Sequence, residues 1–420
     1  MTATPELRFP EFGLDWRSKL LAKPSDFSKG KGISKSDIHD GGATPCIRYG
    51  ELYTEYGEII DETVSCTNVD PINLRLSNGN EVLVPASGEV AWDIAVAACV
   101  MRPGIALGGD INILHTTDDG RFLAYYIGGK LKPNVARLAQ GNSVVHVYGQ
   151  QLSSLNVTIP EIEEQKKIAD FLKAVDKKIL LLRAKHDQLT RYKKGVMQKI
   201  FSQEIRFKTD DGSDFPDWKF KRFDEVFSFL RTNNLSRATL NYVSGNIFNI
   251  HYGDIHSKFQ SRFKLSDEIV PYINTDDVPM KITEEEFCRE GDLVIADASE
   301  DYADIGKTIE IVDLGGKRVL AGLHTYLARP DVEQAAKGFY GYVLQTFEAQ
   351  LQIMKFAQGI SVLGISKGNL GKINIPHPHP DEQQKIASFL SMLDEKVRAV
   401  SAQIDRMQTF KKGLLQQMFV

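Results

Sequence analysis

The best match to a nucleotide-handling motif is Ile305-Gly306-Lys307-Thr308, which ends like the phosphate-cradling loop G-x-x-x-x-G-K-[ST]. The leading glycine of that pattern would fall at 301. Asp301 stands there and sets a carboxylate where phosphate must approach, so the spacing argues against nucleotide binding. Gly30-Lys31-Gly32 is a basic, turn-rich loop without the strand-turn-helix frame of a dinucleotide fingerprint. Cys46, Cys66, Cys99 and Cys288 lie far apart with no C-x-x-C pair, which offers neither a zinc cage nor a disulfide framework and fits a reducing cytoplasm. In His377-Pro378-His379-Pro380 the prolines dictate a stiff, extended entry segment before a helix rather than a metal site. No residue set has the spacing of a catalytic, cofactor or metal centre, which leaves binding as the chemistry to look for.

The elements that would position a binding surface follow from length and repetition. At 420 residues the chain exceeds one ordinary domain, and 42% hydrophobic with 25% charged residues is near the globular average, which excludes fibrous or wholly disordered classes. The first thirty residues hold no apolar core of a secretory signal, and no run of about 18 apolar residues exists to span a bilayer. A net charge of −4 excludes a generically basic coat for nucleic acid.

Sliding the sequence by 218 positions aligns Ala139–Phe201 with Ala357–Phe419 without a gap, at roughly 24 identities in about 63 positions. Ala139-Gln140-Gly141 recurs as Ala357-Gln358-Gly359, and Lys193-Lys194-Gly195 as Lys411-Lys412-Gly413. Upstream, Ile47–Tyr53 matches Ile250–His256, and Glu81–Glu89 matches Asp292–Glu300. The openings also rhyme: Arg8-Phe9 with Trp16, and Arg206-Phe207 with Trp218, read as an arginine-phenylalanine strand signal and a nearby tryptophan. Two copies of roughly 210 residues result, too long for a solenoid unit.

Each copy begins with short β-rich runs separated by Gly, Asn and Asp turns, a mixed α/β domain. Short helices are expected near Phe122–Ile127 and over Lys337–Lys355. Each copy then ends in a helix with a 3.5-residue apolar period, the signature of a coiled-coil seam. The first seam runs through Ile168, Leu172, Val175, Ile179, Leu182, His186, Leu189, Val196 and Ile200. The second runs through Ile386, Leu390, Leu393, Val397, Val400, Ile404, Met407, Leu414 and Met418. Carboxylates after Pro160 and Pro380 occupy the first turns, and lysines sit near the far ends, as the helix dipole favours. About 39 residues give each helix a length near 58 Å. The expected architecture is α+β: two similar mixed α/β globular domains separated by two long helices pairing as an antiparallel coiled coil, an internal pseudo-twofold repeat. The boundaries read 1–158, 159–204 (helix), 205–375 and 376–420 (helix). His186 is read as a polar interruption that fixes register.

The pattern G-x-S-V, a short β run, I-P, then E-Q-x-K-I-A-x-F-L-x-x-x-D occurs twice, each time after a domain that differs between copies. Over the whole chain this resembles the specificity subunit of type I restriction-modification enzymes. The resemblance implies that each target-recognition domain reads one half of a split, asymmetric double-stranded DNA site. It further implies that the helices serve as ruler and dock for two modification subunits, which bind S-adenosylmethionine and methylate adenine. Restriction subunits using ATP and magnesium would join them. No N-P-P-Y or D-P-P-Y segment of an amino-methyltransferase is present, and Asp70–Asn73 does not match it, so catalysis is expected in those partners and no cofactor in this chain.

Phosphate and base contacts call for Lys, Arg, Asn, Gln and Ser on loops. Those expected to meet DNA are Lys29, Lys31, Ser34, Lys35 and Arg48 in the first domain, and Arg231, Asn233, Asn234, Arg237, Lys258, Gln260 and Arg262 in the second. Tyr49-Gly50 and Tyr252-Gly253 recur and read as shared framework. Residues 163–201 carry +6 and 381–419 carry +1, leaving the rest near −11, which predicts weak DNA binding without partners. A stand-alone bivalent DNA-binding regulator and a nonenzymatic coiled-coil scaffold are the rival readings.

Overall fold

In the computed structural model, residues 4–278, 281–331 and 333–420 are described. They form two compact units, one comprising residues up to 185 together with 400–420, the other 186–399.

The first unit is built on a five-stranded sheet in the order Phe27–Lys29, Ile111–Leu114, Glu81–Pro85, Ala98–Val100, Ile59–Ile60. The central strand is antiparallel to both neighbours, and the last joint is parallel. Its burial explains its sequence: Val82 and Val84 face one apolar cluster and Leu83 the other, so an uninterrupted apolar run is needed to fill both faces. The helix Gly120–Gly128 covers the first face with Phe122, Tyr125 and Tyr126. It starts where the Asp119 carboxylate accepts from the N–H groups of Arg121 and Phe122. Arg17–Leu20 pairs antiparallel with Asn156–Ile159, so the two ends of the globular part meet just ahead of the long helix.

The second unit repeats this plan. Its sheet runs Phe227–Leu230, Thr325–Pro330, Leu293–Ala296, Thr308–Asp313, Arg262–Lys264, again with antiparallel joints and a parallel edge. Leu293 and Ile295 face one cluster, Val294 and Ala296 the other. Lys219–Arg222 pairs with Asn374–His377, the counterpart of the closing ladder in the first unit.

The long helices span Ile162–Phe201 and Pro380–Gln417. In the first unit Ile168, Leu172, Val175 and Ile179 share a core with Leu414 and Met418; in the second, Ile386, Leu390 and Leu393 share one with Ile200. The N-terminal half of each helix thus meets the C-terminal half of the other, which is antiparallel pairing. Leu182 and Val400 are also buried, while His186, Leu189, Val196, Val397, Ile404 and Met407 are half-buried. Among the described residues the His186 ring has one polar neighbour, Asp187 at 3.5 Å.

Two local expectations are corrected. Arg8-Phe9 and Arg206-Phe207 are not strand residues: both lie in irregular segments, and the strands begin at Arg17 and Lys219. The helix expected over Lys337–Lys355 is two helices, Tyr340–Val343 and Phe347–Phe356. The break falls at Thr346, whose hydroxyl accepts from the Ala349 N–H and so starts a new helix.

His377, on the closing ladder of the second unit, shares a hydrogen bond of 2.5 Å between its Nδ1 and the Tyr340 hydroxyl. Burial, helped by Lys221 and Lys219, lowers its pKa to about 4. The unfolded chain takes up a proton near pH 6.5 that the folded chain refuses until about pH 4. The resulting stability is therefore present above pH 6.5 and lost as pH falls through that window. Urea titrations between pH 7 and 4 should show this acid limb, and His377→Gln should flatten it.

Candidate functional site

Three recurring contacts lock each globular part to the helices. The first explains the rhyming openings of the two copies. Glu164, in the first turn of its helix and almost fully buried, accepts from Arg8 Nε and Nη2, each at 2.7 Å, and from the Trp16 indole N–H at 3.3 Å. Glu382 takes the same contacts from Arg206 at 2.8 Å and 3.2 Å and from Trp218 at 3.0 Å. Phe9 packs edge-on to Phe171, and Phe207 to Phe389, with ring centroids 5.7 Å apart in both.

The second contact uses the glutamine of the E-Q pair. Gln165 accepts from the Asp119 N–H, while its amide donates to the Pro160 carbonyl. Gln383 accepts from the Ala336 N–H and donates to the Pro378 carbonyl. The third uses the aspartate that ends the motif. Tyr125 donates to Asp176 at 2.6 Å and Tyr342 to Asp394 at 2.5 Å. Lys411 sits 2.7 Å from Asp176 and 2.8 Å from Glu58, and Lys193 sits 2.5 Å from Asp394. Burial works against the Lys411 ammonium, but Glu58 and Asp176 outweigh it and its pKa is raised. Burial and the facing Asp176 push the Tyr125 phenol upward. Lys193 and Lys411, near the far ends of the helices, are therefore the cations of half-buried polar contacts.

The residues expected from sequence to meet DNA divide into two groups. Lys29, Lys31, Lys35 and Ser34 are exposed, although Ser34 is engaged with Asp37 at 2.6 Å and lowers the pKa of that carboxyl. Arg231, Asn234 and Gln260 are also exposed, with Glu286 no closer than 3.7 Å to Arg231. The others have internal partners. Arg48 pairs with buried Glu51 at 3.0 Å. Arg237 and Lys258 both pair with fully buried Asp254, at 3.1 and 2.9 Å. Asn233 donates to Asn249 at 2.7 Å, and Arg262 lies over the Tyr342 ring at 5.8 Å.

Comparing units shows a fixed acid with a variable cation. Glu51 and Asp254 are corresponding residues of the repeat, yet Arg48 is replaced by His251 and the charge is supplied from 237 and 258 instead. Likewise Glu81 faces His115 at 3.5 Å, whereas its counterpart Asp292 is held by Arg329 at 2.7 Å. Among the described residues there is no cluster of His, Cys, Asp and Glu suited to a metal ion. No helix is long and apolar enough to cross a membrane. The four cysteines are free thiols, three of them buried.

A sheet domain fastened to antiparallel helices by the same buried acid, arginine and tryptophan, made twice with different loops, defines a duplicated recognition protein. The sequence profile of the type I restriction modification DNA specificity domain matches residues 15–191 and 216–406. The chain belongs to this family of type I restriction-modification specificity subunits. It is 24% identical over 427 residues to the type I restriction enzyme MjaVIII specificity subunit of Methanocaldococcus jannaschii, covering 97% of this chain and 92% of that one. To the putative MjaX specificity subunit of the same organism it is 28% identical over 155 residues, 37% of this chain and 35% of the relative. The crystal structure of a type I restriction-modification S subunit from M. genitalium superposes with a TM-score of 0.61 at 14% identity, covering 100% of this chain and 99% of that one. A chain from a structural study of type I system assembly and conformational transition gives 0.54 at 17% identity, covering 96% and 97%.

Removing the Glu382 carboxylate takes the counter-charge from Arg206 and leaves its Nε and the buried Trp218 N–H without an acceptor, while Nη2 keeps the Phe215 and Pro216 carbonyls. Glu382→Ala should therefore destabilise the chain by roughly 3–5 kcal/mol. Chemical denaturation monitored by tryptophan fluorescence checks this, and a loss within ~0.5 kcal/mol would contradict the anchoring role.

Proposed function

We propose that each unit reads one half of a bipartite, asymmetric site in double-stranded DNA. In this reading the paired helices set the spacer and dock two modification subunits, which restriction subunits then join. The observation that carries the reading is the pairing of identical anchors with non-identical loops. Two domains fastened in the same way but lined with different side chains are suited to two different half-sites. Outside the seams, the exposed Leu180, Leu181, Tyr192, Met392 and Phe410 give the helices apolar surface for partner helices.

On this reading the chain is noncatalytic. Adenine methylation, with S-adenosylmethionine as donor, and ATP- and magnesium-dependent restriction belong to partner subunits, in a cytoplasmic system of host defence. The charge balance supports dependence on those partners, because the part of the chain outside the two helices carries about −11. Specific contacts there must act without a strong counterion-release contribution, so tight binding requires basic surface from the modification subunits.

Three outcomes are expected. Mapping of methyladenine in cells with and without the gene should show loss of one bipartite motif. Fluorescence anisotropy at physiological salt should show tight binding to a duplex carrying that motif only when the modification subunits are present. Tight specific binding by the chain alone would favour the stand-alone regulator instead. Finally, one heptad added to both helices at matched seam positions lengthens each by about 10 Å. The spacer should grow by about three base pairs with both half-sites unchanged, and altered half-sites with a fixed spacer would overturn the ruler.

A further inference from the structure

The recurring G-x-S-V segment has no part in the anchors, yet it is among the most closely repeated features of the two units. In each it is a tight hairpin. Gln140 and His146 exchange backbone hydrogen bonds of 2.9 and 2.8 Å, and Gln358 and Gly364 exchange bonds of the same lengths. Gly141 and Gly359 adopt φ of 136° and 137°. A Cβ at either would lie 2.0 Å from the Val144 carbonyl oxygen or 1.9 Å from that of Val362, so only glycine closes the turn.

Each hairpin is seated on the segment that follows the central strand. Val145 pairs with Gly88, and Leu363 with Ser299. In the first unit the opposite end of that strand adjoins the anchor: Asn80 donates to the Asp118 carbonyl, and the next N–H, of Asp119, goes to Gln165. Five strand residues, about 16 Å, therefore separate the hairpin from the helix attachment.

The tips are exposed and unengaged. Residues 141–144 and 359–362 are all solvent-exposed, and among the described residues their N–H groups have no acceptor. A lysine poised on a tyrosine adjoins each hairpin, although the two pairs come from unrelated positions. Lys29 lies 5.1 Å over Tyr148, which stacks on His146, and Lys367 lies 5.4 Å over Tyr326, whose hydroxyl donates to the Ile365 carbonyl. Free N–H groups beside a lysine suit a phosphate backbone.

Of the four tip residues only one differs between the units: Asn142 in the first and Ile360, fully exposed, in the second. An exposed isoleucine at a turn tip costs solubility and contributes nothing to the fold. The two side chains match two ways of reading a base edge, an amide fork for the N6 and N7 of adenine and an apolar surface for the methyl of thymine.

We infer that Asn142 and Ile360 are corresponding base-contacting positions, one for each half-site, displayed by a hairpin whose constant part holds the DNA backbone. This rests on the bipartite-reading proposal. The test is methylation by the chain assembled with its modification subunits, on duplexes randomised at each position of the wild-type motif, for Asn142→Ala, Ile360→Ala and the exchange pair N142I with I360N. Each single substitution should relax preference at one position of one half-site, roughly 5- to 150-fold for Asn142, and leave the other half-site intact. Because both tips are exposed, melting temperatures and co-purification with the modification subunits should be unchanged. Asn142→Ser and Ile360→Thr replace any alanine variant that fails to fold. A wild-type motif that survives every substitution overturns the inference alone, as does loss of subunit assembly with base preference intact. A wild-type complex that methylates no bipartite motif overturns the proposed function beneath it.

Discussion

A carboxylate in the first turn of each long helix is the contact on which each unit depends. Glu164 and Glu382 are buried, and a buried charge is tolerable only where donors satisfy it. Those donors, Arg8 with Trp16 and Arg206 with Trp218, come from segments that precede the globular part in sequence. The chain must leave the helix end, build an entire domain and return to it. Because one acid binds both the start of the domain and the helix that follows it, the domain cannot pivot without exposing an unpaired ion. On the proposed reading of two half-sites that rigidity matters, since orientation errors at the anchor grow with distance from it.

Polar contacts of this kind specify as well as hold. The apolar seam would tolerate sliding by a heptad, as any regular repeat does. Asp176 with Tyr125 and Lys411, and Asp394 with Tyr342 and Lys193, fix the register, because a slip would strand a lysine or aspartate in the core. The half-buried His186 adds a weaker polar break of the same sort.

Much of this was legible in the sequence because duplication acts as an internal control. The seam, the E-Q motif and the two-copy architecture all appear as residues that recur. The role of the arginine and tryptophan was not legible. Their spacing resembled a strand entrance, and their partner lies 148 to 176 positions away. The same distance problem divides the cations: Arg237 looks as free as Arg231 in sequence, yet it is spent on Asp254, seventeen residues on. Arg48 with Glu51 is the exception, since a three-residue spacing places the pair within local reach. Sheet order was invisible as well, since strands such as Ile59–Ile60 are too short to announce themselves and are defined by what pairs with them.

The division of the chain also bears on how it is made. The second unit is continuous, residues 186–399, whereas the first includes 400–420 and places Leu414, Met418 and Phe419 in its core beside Phe122 and Leu172. A ribosome delivers these residues only after the whole second unit has emerged. The first unit therefore cannot complete its core ahead of the second, against the usual order in which the N-terminal domain finishes first. Until those residues emerge, the face they cover stays open. That nascent face, and not any surface of the finished protein, is where a chaperone would be needed.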